Sequence, residues 1–148
     1  MTEKPISEPR ENEPSSSTHF EVVMSADIRS IAPVLAWVMR LVGELGYPAE
    51  KDFEIELALQ EALANAVMHG CKADPTKKIK CHVSADKDRG ILIVVRDPGP
   101  GFDMAAIQSP TERQNLYSEH GRGIYLINQL MDEVKYERNG SEIQMRKF

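Results

Sequence analysis

Hydrophobic and polar positions change period along the chain in an order that lays out the elements. From His19 the run HFEVVM alternates and predicts a first strand. Ile28, Ile31, Leu35, Val38, Leu41 and Val42 then recur at helical spacing, with Ser25 or Asp27 placed to cap the helix and Pro33 in its early turns. After the turn GYPAEKD a longer helix is expected from about Asp52 to His69, closed by Gly70 as a left-handed terminal residue. IKCHVSA and ILIVVRD read as antiparallel strands around the DKDRG connection. The second is apolar at every position from Ile91 to Val95, which places it mid-sheet. A short helical piece over 103–108 and a long polar stretch, Ser109 to His120, precede a third helix, IYLINQLMDEV, that runs into a strand. VKYERNGSEIQMRKF closes the chain as a hairpin folded at Asn139 and Gly140. Two hairpins and several helices predict an α+β two-layer sandwich, a mixed and mostly antiparallel sheet with its helices on one face.

Composition adds boundaries. Residues 1–17 are rich in Glu, Pro and Ser with almost no large apolar side chain, so a disordered tail is expected before one domain over 18–148. The 148 residues suffice for a core without disulfides or metals. A net charge of −5 argues against a surface built to neutralise nucleic-acid phosphates, and no apolar run is long enough to span a bilayer. With no secretory signal and two cysteines, a reducing cytoplasm is expected.

Three segments could carry chemistry. In EALANAVMHG, Glu61 and Asn65 sit one helical turn apart and point the same way, a pattern that also fits an ordinary surface pair. Ala62, Ala64 and Ala66 keep that helix slim, as close approach of a ligand requires and as good helix formers also give. Asp97 to Gly101, DPGPG, follows the buried strand directly. It is either a stiff loop or a carboxylate at the sheet's mouth that accepts from an exocyclic amine. His120 to Gly123 open the third helix, where glycines and the helix dipole favour an anion, although Gly-x-Gly alone fits a simple turn. No G-x-x-x-x-G-K-[ST] or G-x-G-x-x-G is present. His69, Cys71, Cys81 and His82 lack zinc-finger spacing, and the cysteines read as small apolar residues, Trp37 and Met39 as core or interface.

The order EALANAVMHG, DPGPGF after a strand, and HGRGIYLINQLMDEV resembles the N, G1 and G2 boxes of the GHKL ATPase superfamily, with the bacterial anti-sigma-factor serine kinases as nearest kin, from about His19 to Phe148. The resemblance implies ATP and Mg2+ as cofactors. It implies Glu61 as the base that takes or orients a hydroxyl proton and Asn65 as the Mg2+ ligand. Asp97 would bind adenine beside Gly99 and Gly101, while Gly121, Arg122 and Gly123 would hold phosphates and Ser141 would turn its hydroxyl to the base. It further implies a lid over 109–120, sequestration of a sigma factor, phosphorylation of a STAS-type anti-anti-sigma protein on Ser or Thr, and a homodimer. Gln60 stands where relatives often have Ser, and the first helix lacks an Arg near Leu35, for which Arg29 or Arg40 could substitute. A nucleotide-dependent protein-binding switch without transfer is the alternative. The ATPase half of a histidine kinase is disfavoured because the chain leaves no room for a helix pair bearing a phosphoacceptor His.

Overall fold

A computed structural model describes residues 18–102 and 119–148. The expected tail over 1–17, the helical piece over 103–108 and the lid up to residue 118 lie outside these described residues. The strands are β1 (Thr18–Ser25), β2 (Lys78–Asp86), β3 (Gly90–Arg96), β4 (Glu133–Glu137) and β5 (Glu142–Lys147), and the α-helices are α1 (Ile31–Gly43), α2 (Ala49–Asn65) and α3 (Glu119–Leu130).

The strands form one sheet in the order β1-β2-β3-β5-β4, with every pairing antiparallel, the limiting case of the mostly antiparallel sheet expected. The uniformly apolar β3 is its central strand, as its composition predicts. Register aligns Val22, Cys81, Val95, Ile143 and Tyr136 in one row across the sheet, and Phe20, Val83, Ile93, Met145 and Val134 in the next. These rows pack against the helices. Along β2 adjacent positions separate accordingly: Cys81 is fully buried, whereas His82 lies half-exposed on the opposite face beside the ring of His19. Burial pushes the Cys81 thiol up to about 12.

Asp97 and Gly101 leave the sheet at the C-terminal end of β3; the helices come to meet them. Asp27 accepts from the Arg29 N–H and caps a short 3-10 turn, Ile28–Ser30, that leads into α1. Ile31, Val34, Val38 and Val42 form the buried stripe of α1. Ile28, expected on that stripe, is instead 59% exposed because it precedes the α-helix, in the 3-10 turn. Trp37 meets Phe20 edge-on at 4.4 Å, fastening α1 to β1. α2 starts earlier than its apolar pattern suggests, at Ala49, with Glu50 and Asp52 in the first turn where the dipole favours acids. It buries Ile55, Ala58, Leu59, Ala62 and Leu63 against sheet and neighbouring helices.

The end of α2 corrects one expectation. Gly70 is not a left-handed terminal residue: the helix passes into a π turn, Ala66–Gly70, closed by the Cys71 N–H donating to the Ala66 carbonyl at 2.9 Å, and positive φ falls on Lys72 and Ala73.

Candidate functional site

Gly70 is glycine for a different reason. A Cβ built there would overlap the Asp97 carboxylate, and a Cβ on Gly99 would overlap the Gly70 carbonyl. The helix end and the loop after β3 are thus in direct contact, with no room for a methyl group. Asp97 is anchored through its own N–H to the Ser141 carbonyl at 2.9 Å, and its Oδ1 accepts from the Gly99 N–H at 2.8 Å. Burial raises the Asp97 carboxyl above its usual range, against the opposing pull of the Gly99 N–H and of Lys77. Gly101 has φ +79° and lies against the Asn139 carbonyl, which also accepts from the Phe102 N–H at 2.7 Å. The DPGPG loop and the β4–β5 turn are therefore tied together.

A cavity of about 220 Å3 opens between the layers at this point. Its floor comes from the sheet row (Val95, Ile143 and Tyr136) and its roof from Ala62 of α2 and Ala66 of the π turn with Ile124 and Ile127 of α3, while Asp97, Gly101 and Ser141 complete the lining. The small side chains of Ala62 and Ala66 leave the space the cavity occupies. Phe102 meets Tyr136 edge-on at 5.7 Å along the wall. A volume below the roughly 300–1,000 Å3 of whole-ligand pockets suits one flat end of a larger molecule.

Beside it lies a groove of about 320 Å3 lined by Glu61, Ala64, Asn65, Met68, His69, Arg122, Gly123 and Leu126. Asn65 and His69 line both spaces, so the two adjoin. Gly123 brings α3 onto α2: a Cβ there would lie 3.0 Å from Glu61 Oε2 and 3.2 Å from Asn65 Nδ2. Gly121 and Gly123 were expected just before the third helix. They lie inside its first turns instead, because α3 begins at Glu119.

The sequence description "Histidine kinase-like ATPase domain" matches residues 24–147. The chain belongs to this family. Its relatives include a serine-protein kinase RsbW of Bacillus licheniformis, 34% identical over 73% of this chain and 71% of that protein. Another is a serine-protein kinase RsbW of Bacillus subtilis (strain 168), 26% identical over 90% and 88%. An anti-sigma F factor of Clostridium novyi (strain NT) is 30% identical over 74% and 80%.

Within this ATPase domain the two spaces gather most of the residues singled out from sequence. Asn65, Asp97, Gly101 and Ser141 line the cavity, and Glu61, Asn65, Arg122 and Gly123 line the groove. Gly99 and Gly121 line neither: Gly99 packs on Gly70, and Gly121 is buried in α3. Ser141 is 6% exposed, and its hydroxyl donates to the Arg138 carbonyl at 2.8 Å, leaving the oxygen to accept rather than donate towards the cavity. His69, Gly70, Phe102 and Tyr136 were not foreseen as site residues. For His69 a signal existed, since it continues the 61, 65 series by four. For Gly70, Phe102 and Tyr136 none did, because their partners come from other elements.

The donors also suit Mg2+. Among the described residues no cluster of three or more His, Cys, Asp or Glu could hold a metal unaided. Mg2+ commonly takes one or two protein oxygens and completes its shell with water and phosphate oxygens. The amide of Asn65, with the Glu61 carboxylate one turn away and only hydrogen on Gly123 facing them, fits that requirement.

Proposed function

We propose that the chain is an ATP-dependent protein serine/threonine kinase of anti-sigma type. In this reading it sequesters a sigma factor, works as a cytoplasmic homodimer and phosphorylates a STAS-type anti-anti-sigma protein. The observation that carries the catalytic part is the sharing of Asn65 between a semi-buried cavity lined by the Asp97 carboxylate and a groove holding Glu61. One elongated ligand can touch both ends. The name anti-sigma F factor of one relative supports the sigma-factor partner, and the name serine-protein kinase of the others supports transfer to a serine.

Asp97 accepts the adenine amino group, and the apolar walls sandwich the ring. Asn65 offers its amide oxygen to the metal, and Arg122 and Gly123, in the first turns of α3, face phosphates from its positive end. Glu61 takes or orients the proton of the attacking hydroxyl. Bound Mg2+ would neutralise charge shared between phosphate oxygens during transfer.

The test is incubation with labelled ATP and purified candidate antagonists. Glu61→Ala is expected to bind Mg-ATP as wild type does and to lose transfer by about 10²–10⁴-fold. Equal label transfer by both proteins would remove Glu61 from the reaction. Mg-ATP binding by wild type with no transfer to any antagonist would favour the nucleotide-dependent switch.

A further inference from the structure

We propose that Asn139 is a site of spontaneous deamidation whose isoaspartyl product unfastens the loop carrying Asp97. The functional consequence rests on the nucleotide reading above; the chemistry does not. Of the five asparagines in the chain only Asn139 is followed by glycine, while Glu, Ala, Leu and Gln follow the others. Gly140 brings no side chain to shield its amide nitrogen, Asn139 is exposed, and both stand at positive φ, 59° and 91°, in the turn between β4 and β5. The Gly140 nitrogen attacks Asn139 Cγ. A new N–C bond closes a succinimide ring, the bond from Cγ to the side-chain nitrogen breaks, and ammonia leaves with the proton of the Gly140 amide. Water then opens the ring. Cleavage between the ring nitrogen and Cγ gives Asp, and cleavage between that nitrogen and the main-chain carbonyl carbon gives isoaspartate.

The two products differ in what they do to the site. Asp keeps the backbone path and adds one charge at an exposed position. In isoaspartate the chain runs through Cβ and Cγ, one carbon longer, and the former main-chain carbonyl becomes a free carboxylate. That carbonyl is the group that accepts from the Phe102 N–H at 2.7 Å and against which Gly101 packs. Two residues on, the Ser141 carbonyl holds the Asp97 N–H at 2.9 Å. The extra carbon falls between these two fastenings, so the DPGPG loop cannot keep both at native geometry. The same contact gates the reaction. Ring closure needs the Gly140 nitrogen swung round towards Asn139 Cβ, far from the native ψ of 31° at Asn139, and that rotation takes the Asn139 carbonyl off the Phe102 N–H. A ligand that holds the DPGPG loop therefore slows deamidation.

The whole chain is incubated in mildly alkaline buffer with and without Mg-ATP and mapped by mass spectrometry, with Mg-ATP calorimetry on the aged samples and on Asn139→Gly and Asn139→Asp. Amide-to-acid conversion is expected at residue 139 ahead of every other asparagine, with isoaspartate in excess and a slower rate in Mg-ATP. The isoaspartyl fraction should bind Mg-ATP about tenfold or more weakly, the scale of the fastening lost. L-isoaspartyl methyltransferase, which returns isoaspartate to Asp, should restore binding. Asn139→Gly, which keeps the positive φ, should bind as wild type does and not age, and Asn139→Asp should bind nearly as well. An unchanged residue 139 after a time that converts it fully in urea would overturn the modification site. Isoaspartate with undiminished affinity, or a rate indifferent to Mg-ATP, would overturn its link to the DPGPG loop. Fresh wild type that binds no Mg-ATP would overturn the nucleotide reading and that link together, while the mass spectra still decide the site of deamidation.

Discussion

At Asp97 the desolvation cost outweighs the hydrogen bond from Gly99, so the native carboxyl titrates above its ordinary 3.8. Through the window between 3.8 and that raised value the folded state holds more protons than the unfolded state, and stability falls as pH rises. Above the window the native carboxylate is charged and costs the fold free energy at every pH. Asp97→Asn keeps an oxygen to accept from the Gly99 N–H and removes the charge. Its thermal midpoint at pH 7 is expected to equal or exceed that of wild type. The difference should vanish well below pH 3.8, where the Asp97 carboxyl is neutral in both the folded and the unfolded state, while nucleotide binding weakens at all pH values. A midpoint well below wild type at pH 7 would contradict the balance of desolvation against hydrogen bonding. The same scale separates two glycines. Gly70→Ala must push the Asp97 carboxylate aside and is expected to cost about 1–3 kcal/mol together with nucleotide affinity. Gly43→Ala, at the end of α1 with nothing within 4 Å of the added carbon and an ordinary φ, should be neutral or stabilise by up to about 1 kcal/mol. Denaturant melts of both variants check the pair. Glu61, Asn65 and Asp97 could be picked from sequence because each belongs to a short local pattern. The constraint on Gly70 comes from a side chain across the molecule, and no window around residue 70 contains it.

Among the elements, β3 was legible because a strand buried on both flanks has no polar position to spare, and α1 and α2 because their apolar stripes hold one period. The π turn was not. AVMHG has the composition of an ordinary helix end, and the extra residue is enforced by packing on the DPGPG loop. The register between α2 and α3 depends on another element equally hidden in sequence. Lys147, 5% exposed at the end of β5, donates from Nζ to Glu54 of α2 and, at 2.6 Å, to the Leu130 carbonyl that ends α3. A cation at a helix C-terminus satisfies an otherwise unpaired carbonyl and the dipole together. Lys147→Met should cost about 1–3 kcal/mol, less than loss of a wholly buried pair, because Glu54 is partly exposed and can be rehydrated. Combining it with Glu54→Leu should recover part of that loss. An additive pair in a double-mutant cycle would mean that the two side chains are not coupled.

For the molecule as a whole, the layer order decides where ligand binding energy goes. The cavity lies between the sheet and the helices, with Val95 and Ile143 below and Ala62 and Ile127 above, and the groove lies between α2 and α3. The two-layer architecture was readable from hairpins and helical periods alone. The void was not, since it depends on Ala62 and Ala66 standing opposite Val95, Ile143 and Tyr136 across a gap that the register creates. A nucleotide seated there touches both layers and both helices, so unfolding any of them must release it. Bound ligand therefore stabilises the fold by mass action, about 2.7 kcal/mol at a hundred times its dissociation constant. For a domain of this size that raises the thermal midpoint by about 5–10 °C. The expected result is a midpoint that climbs with the logarithm of Mg-ATP concentration in wild type and stays flat for Asp97→Asn over the same range. A wild-type midpoint that ignores Mg-ATP up to millimolar concentration would mean that the ligand does not bridge the layers, and the assignment of the cavity to its base would have to be abandoned.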